Sequence, residues 1–186
     1  LRMNTIQMST VRNDTDVHDI HSKEEIRTVS GLVLARSACS EPAQHVALGV
    51  IAALRAGDAT CKSDAVFPGY IYEHDPGFWH QDVTRDVRKT ERLLRHTSLP
   101  IVRLRISRSD HACPPLAEYF ADEPRVILVS TTARTAAAQV EALLPHVRTL
   151  EPAHVTLRLV STVEIEAVFD LVYMERREAI ARNFEK

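Results

Sequence analysis

Residues 68–77 read PGYIYEHDPG. Two Pro-Gly turns fence a run too short for a helix and rich in aromatic and β-branched types, so Tyr70 to Asp75 is expected to extend as a strand. Alternate side chains of a strand share a face. Ile71, Glu73 and Asp75 therefore lie on one side, and Tyr70, Tyr72 and His74 on the other. Carboxylates at i and i+2 are costly to bury alone. A solvated strand edge, cationic partners or a bound cation would each satisfy them.

The neighbouring sequence builds an α/β frame around this strand. Ala65 to Phe67 reads as a short strand joined to it by the Pro68-Gly69 turn; if the two pair, Asp64 approaches Glu73. Asp82 to His96 has a helical apolar stripe through Val83, Val87, Thr90 and Leu94, with arginines on other faces. Ile101 to Ile106 follows Pro100 as the next strand. Upstream, Ser40 reads as the N-cap of a helix ending at Gly57 and Asp58, with Ala47, Leu48, Ile51 and Leu54 at helical spacing. Residues 26–38 carry a mixed pattern, a short strand or helix. Beyond a polar loop, the last third reads β-α-β-α: strand Arg125 to Ser130, helix Thr132 to Leu144, strand His154 to Val160, and a helix from Glu164 to about Asn183 opened by a Ser161/Thr162 and Glu164 capping pattern. Alternating strands and helices predict an α/β class.

The chain has 186 residues and a formal net charge of -2, so any surface that attracts polyanions must be local. Its three cysteines, Cys39, Cys61 and Cys113, are widely spaced and form no CxxC pair. That argues against a zinc ribbon or a disulfide framework and for a reducing, intracellular compartment. No apolar run is long enough to span a bilayer. Residues 1 to about 25 are polar and aperiodic, as in an extended arm. The chain begins at Leu1, as a processed form or fragment would. Its basic, Ser/Thr/Asn-rich start resembles an organellar leader, although Asp14, Asp16 and Asp19 follow at once.

Asp64, Glu73 and Asp75 together would offer the oxygen ligands that Mg²⁺ or Mn²⁺ prefers. Such a cation could polarise a phosphodiester and activate a water. His80 follows two aromatics and could move a proton. Trp79 offers a flat face to a base. Arg85 and Arg88 on the helix, and Arg103 and Arg105 on the next strand, are candidates to meet phosphates. Each has a plainer reading. The aromatic could be a core or hinge residue, the histidine a cap, and the arginine-rich helix a solvated face whose Asp82, Asp86 and Glu91 pair with its cations.

Asp64, then YEHDPGFWH (Tyr72 to His80), DVRKTERL (Asp86 to Leu93) and IVRLRI (Ile101 to Ile106) occur in the order found in one family. The stretch resembles the very-short-patch-repair endonuclease (Vsr-like) branch of the PD-(D/E)XK superfamily, and the related RAP domain of organellar RNA-processing proteins. The resemblance covers about 45 residues. It implies a restriction-endonuclease-like three-layer core, a mixed sheet flanked by helices, over residues 26–110. Residues 111–186 lie outside the resemblance and are expected to form a β-α-β-α extension packed on the same domain. The resemblance also implies catalytic roles for Asp64, Glu73, Asp75, His80 and Lys89, the last as a lysine relocated to the helix. Metal ligation by Asp64, Glu73 and Asp75, and Glu41 as an acidic residue of the first helix, are implied as well. The chain departs from the family at Pro76, His74 and Ser98-Leu99-Pro100.

The expected activity is Mg²⁺- or Mn²⁺-dependent hydrolysis of nucleic acid, DNA or RNA. The alternative is a nuclease fold without catalysis, acting as an RNA-binding or assembly module in an organellar complex such as a mitochondrial ribosome. Protein partners would use the C-terminal helix. The expected location is a reducing intracellular compartment: the nucleus or cytoplasm, or an organelle such as the mitochondrion. A chain unrelated to this family would have no reason to bring Asp64 beside Glu73.

Overall fold

The computed structural model describes residues 21–184. Most of the expected N-terminal arm lies outside those residues, and residues 23–25 already belong to the first helix. That helix, α1 (Lys23–Arg36), is capped by Ser22, whose hydroxyl accepts from the Glu25 amide. Ile26, Val29, Leu32, Val33 and Leu34 are all buried, so α1 has no single apolar stripe. This encirclement explains why its sequence pattern is mixed.

Helix α2 (Ala43–Ala59) starts three residues after Ser40; Pro42 stands at its N-cap and no side chain caps it. Cys61 and Lys62 then take positive φ angles, 53° and 56°, and turn the chain into β1 (Ala65–Phe67). Strand β2 (Tyr70–Pro76) pairs antiparallel with β1, setting Ala65 against Tyr72. Helix α3 (Val83–His96) is capped by Asp82, which accepts from the amides of Thr84 and Arg85. Strand β3 (Ile101–Ile106) runs parallel to β2, and β4 (Val126–Thr131) parallel to β3. The sheet is four-stranded, mixed, and ordered β1-β2-β3-β4.

Two helices complete the chain. Thr135 caps α4 (Ala136–Val147), so the helix begins later than Thr132. Helix α5 (Thr162–Phe184) opens with the reciprocal Ser161–Glu164 bonds that its sequence predicts. The expected strand His154 to Val160 does not form. Its backbone finds no sheet neighbour; instead the Arg158 amide donates to Ala35 O and the Arg158 side chain to Ser37 O, at the end of α1. Residues 111–186 therefore contribute one strand rather than two.

The layers follow from the alternation of the strands. Tyr70, Tyr72, Val102 and Leu104 face the large core made with α1, α2, α4 and α5. Ile71 and Ile101 face Leu93 of α3 in a smaller cluster. The protein is thus a three-layer α/β structure with α3 alone on one face of the sheet. Past Pro76, the Gly77 amide donates to Ile106 O at 2.8 Å, and a Cβ there would overlap the His111 carbonyl. Only glycine lets the loop after β3 close over the end of β2.

Candidate functional site

The face of the sheet under α3 is apolar at one end and charged at the other. Glu73, Asp75 and Arg103 have no exposed surface, and Arg105 has 3%. Charges this deep need partners of opposite sign. The strands and α3 supply them in two linked clusters.

In the first, Arg103 donates through Nε to Asp75 Oδ2 and through Nη2 to Asp75 Oδ1, both at 2.8 Å. Its Nη1 donates to Thr90 Oγ1 of α3 at 2.9 Å. Arg105 Nη1 joins Asp75 Oδ2 (3.2 Å) to Asp86 Oδ2 (2.7 Å), and its Nη2 donates to Pro114 O. His80 Nδ1 lies 2.7 Å from Asp86 Oδ1 and 3.4 Å from Asp75 Oδ1. Burial opposes the charge of Asp75, but Arg103 and His80 outweigh it and hold this carboxyl below its usual range. Asp86 follows the same balance: burial raises it, and the His80 bond, Arg103 and Arg105 bring it down to about 2.

The second cluster lies where β1 begins. The Asp64 carboxylate accepts the His74 amide at Oδ2 (2.6 Å), and Lys89 Nζ reaches from α3 to within 3.8 Å of Oδ1. The same ammonium sits 2.5 Å from Glu73 Oε2. Apart from its ion pairs with Lys89 and, at 3.9 Å, Arg103, neither Glu73 oxygen has a hydrogen-bond partner. Burial, and then the charge of Asp64, push the Glu73 carboxyl up to about 8 against the pull of Lys89 and Arg103. Burial works against the Lys89 ammonium, yet Glu73 and Asp64 hold it above its ordinary value. On the other side of Asp64, α1 brings Glu25, bonded to His21 Nδ1; His21 Nε2 lies 3.1 Å from Asp58. Burial raises the Glu25 carboxyl to about 7, with His21 opposing and Asp64 adding to the shift.

Asp64, Glu73 and Lys89, distant in sequence, thus converge as expected, and His80 lands beside Asp75. Asp75 does not join Asp64 and Glu73 as a ligand set. Arg103 and Arg105 are not placed to receive a phosphate from solvent, because both are buried and engaged with Asp75. Trp79 and Phe78 are 71% and 56% exposed and meet edge to face, with ring centroids 4.6 Å apart. Arg85 and Arg88 are exposed. Glu41 is exposed ahead of α2, its amide bonded to Ala38 O; the acidic residue of the cluster is Glu25 of α1. Glu25, His21 and Asp86 were missed as site residues. The Ser22-x-x-Glu25 capping signature and the i, i+4 spacing of His21 and Glu25 were the readable signals for the first two.

Among the described residues, two groups could hold a metal ion: Asp75, His80 and Asp86, and separately His21, Glu25 and Asp64, each with ligand atoms within 4.8 Å of one another. The first already contains two buried guanidiniums, which would face any added cation. Beside the second, Glu73 Oε1 is buried without a hydrogen-bond partner, while Oε2 meets the Lys89 ammonium.

No family model, curated protein or solved structure matches this chain.

Proposed function

We propose that this protein is a divalent-cation-dependent phosphodiester hydrolase acting on nucleic acid, with Asp64, Glu73 and Lys89 at its centre. One observation carries the reading. Lys89 stands between two carboxylates, 2.5 Å from Glu73 on β2 and 3.8 Å from Asp64 just ahead of β1, and the other ion-pair partner of Glu73 among the described residues, Arg103, is 3.9 Å away.

Asp64 and Glu25, with His21, are the group that would hold Mg²⁺ or Mn²⁺, with Glu73 beside it. The cation, when bound, would polarise the scissile phosphate and acidify an attacking water. The His74 amide fixes one Asp64 oxygen and leaves Oδ1 on the side of Lys89. Lys89 keeps its proton at neutral pH, because both carboxylates favour the ammonium. Its side chain is 24% exposed, enough to meet a phosphoryl oxygen. His80 is oriented through Nδ1 by Asp86, and Nε2 has no partner among the described residues. That arrangement suits proton transfer to a leaving group. Trp79 offers a stacking face, and Arg85 and Arg88 offer charge, to the substrate flanking the scissile bond.

A second reading keeps the fold and drops the chemistry: an RNA-binding or assembly module in an organellar complex. One observation favours it. Both Asp75 oxygens are occupied by Arg103, so a third carboxylate is withheld from any cation. The test is cleavage of plasmid DNA and single-stranded RNA by pure protein with Mg²⁺ or Mn²⁺, beside Glu73→Ala. Metal-dependent cutting that the variant loses supports the hydrolase. Binding without cutting in both proteins sinks it in favour of the module.

A further inference from the structure

Helix α3 presents its cations on two different faces. Asp86, Thr90 and Leu93 point into the sheet. Lys89 flanks that buried face and enters the site. Arg85, Arg88, Arg92 and Arg95 recur at intervals of three, four and three residues, so they fall in one narrow stripe on the opposite, solvent side. All four are exposed.

Acidic residues interleaved with arginines usually neutralise such a stripe through i, i+3 and i, i+4 pairs. Here they do not. Asp82 is spent on the helix cap and Asp86 on Arg105. Glu91 is exposed and forms no ion pair, and among the described residues no carboxylate pairs with Arg85, Arg88, Arg92 or Arg95. Four like charges have been left open along about 15 Å of helix, at a rise of about 1.5 Å per residue.

The row also leads somewhere. Arg92 Nη2 donates to Cys61 O at 3.3 Å, in the turn that delivers Asp64. Lys62, next in that turn, is exposed. An anion lying along the row therefore passes the turn before the partly exposed Asp64 and Lys89 side chains.

We infer that the Arg85–Arg88–Arg92–Arg95 face of α3 is a track for the phosphate backbone of a polynucleotide, running past the site at the Asp64 turn. The inference rests on the reading of that site as a nucleic-acid hydrolase and specifies its substrate as a chain of several phosphates rather than a mononucleotide. A row of about 15 Å spans several successive phosphates of a polynucleotide strand, whereas a mononucleotide offers a single phosphate position. With a net charge of -2 on the whole chain, this local field would have to capture the polyanion.

The experiment is fluorescence anisotropy with a labelled single-stranded oligonucleotide, titrated with the full chain over a series of NaCl concentrations. It compares wild type, the triple variant Arg85→Gln/Arg88→Gln/Arg95→Gln, and a control, Arg148→Gln/Arg177→Gln, whose exposed arginines lie on α4 and α5 across the sheet. Far-ultraviolet melts confirm that each protein is folded. The slope of log affinity against log salt is expected to become shallower by about 2 in the triple variant, at about 0.7 per lost contact, and to stay put in the control. An unchanged slope in the triple variant, an equal loss in the control, or no binding by wild type overturns the track. Equal competition by polyglutamate and by unlabelled oligonucleotide overturns it too, in favour of an acidic protein partner. Slope loss without metal-dependent cleavage would leave the track standing and remove the hydrolase.

Discussion

Arg103 lies opposite Glu73 in the parallel register of β2 and β3, yet gives its two-point bond to Asp75, two residues further along. The diagonal choice divides the site. Asp75 is neutralised inside the fold, and Glu73 is left to Lys89. The first pair is a buried clamp; in the second, only the Lys89 side chain reaches the surface, while Glu73 is buried.

Removing one member of the clamp strands the other as a buried charge. Asp75→Ala is expected to destabilise the protein by about 3–5 kcal/mol, read from urea unfolding with the slope held common to both proteins. A loss under about 1 kcal/mol would mean that Asp86, at 3.4 Å, and Glu73, at 3.9 Å, take over the Arg103 charge.

Glu73→Gln should separate stability from function. Burial pushes the Glu73 carboxyl up to about 8, and Lys89 keeps Asp64 as a partner, so the fold should tolerate a neutral isostere. Its melting temperature should shift by no more than about 1 kcal/mol implies, while metal-dependent cleavage falls by at least ~100-fold, the scale of losing one charged group at such a site. Retained cleavage would remove Glu73 from the machinery.

Acid should open the clamp. Asp86 titrates near 2 in the folded chain against an ordinary 3.8, and Asp75 is lowered as well. Below about pH 4 the unfolded chain takes up protons that the native state refuses. The stability these groups contribute is complete above that pH and is lost as pH falls toward about 2. Asp86→Asn should flatten this acid limb in a series of denaturation midpoints. A limb as steep as that of wild type would place the titrating groups elsewhere.

Trp79 is 71% exposed, so Trp79→Ala should leave the melting temperature unchanged. If the ring stacks a base, the same variant weakens single-strand binding by about 1–3 kcal/mol. The salt slope should stay as in wild type, because no charge is removed. Unaltered affinity would leave Trp79 a surface aromatic with no part in binding.

The sequence by itself determined the β2-α3-β3 unit and the approach of Asp64 to Glu73. Pro-Gly turns, a short run of strand-forming residues and the helical stripe of α3 are local signals, and local sterics and hydrogen bonding are enough to enforce them. It also carried the Ser161–Glu164 box that starts α5. Tertiary structure decided the rest. Residues 154–160 have a strand-like pattern, but a strand exists only where a neighbour accepts its ladder, and this segment met the end of α1 instead. Helix α1 hid its periodicity by being buried on every side, and with it the placement of Glu25 and His21. Arg103 and Arg105 look the same in sequence whether they face water or a buried carboxylate. Which one they face depended on α3 covering that side of the sheet. Once water was excluded there, Asp75 had to take the guanidiniums, and Lys89 was the cation left for Glu73.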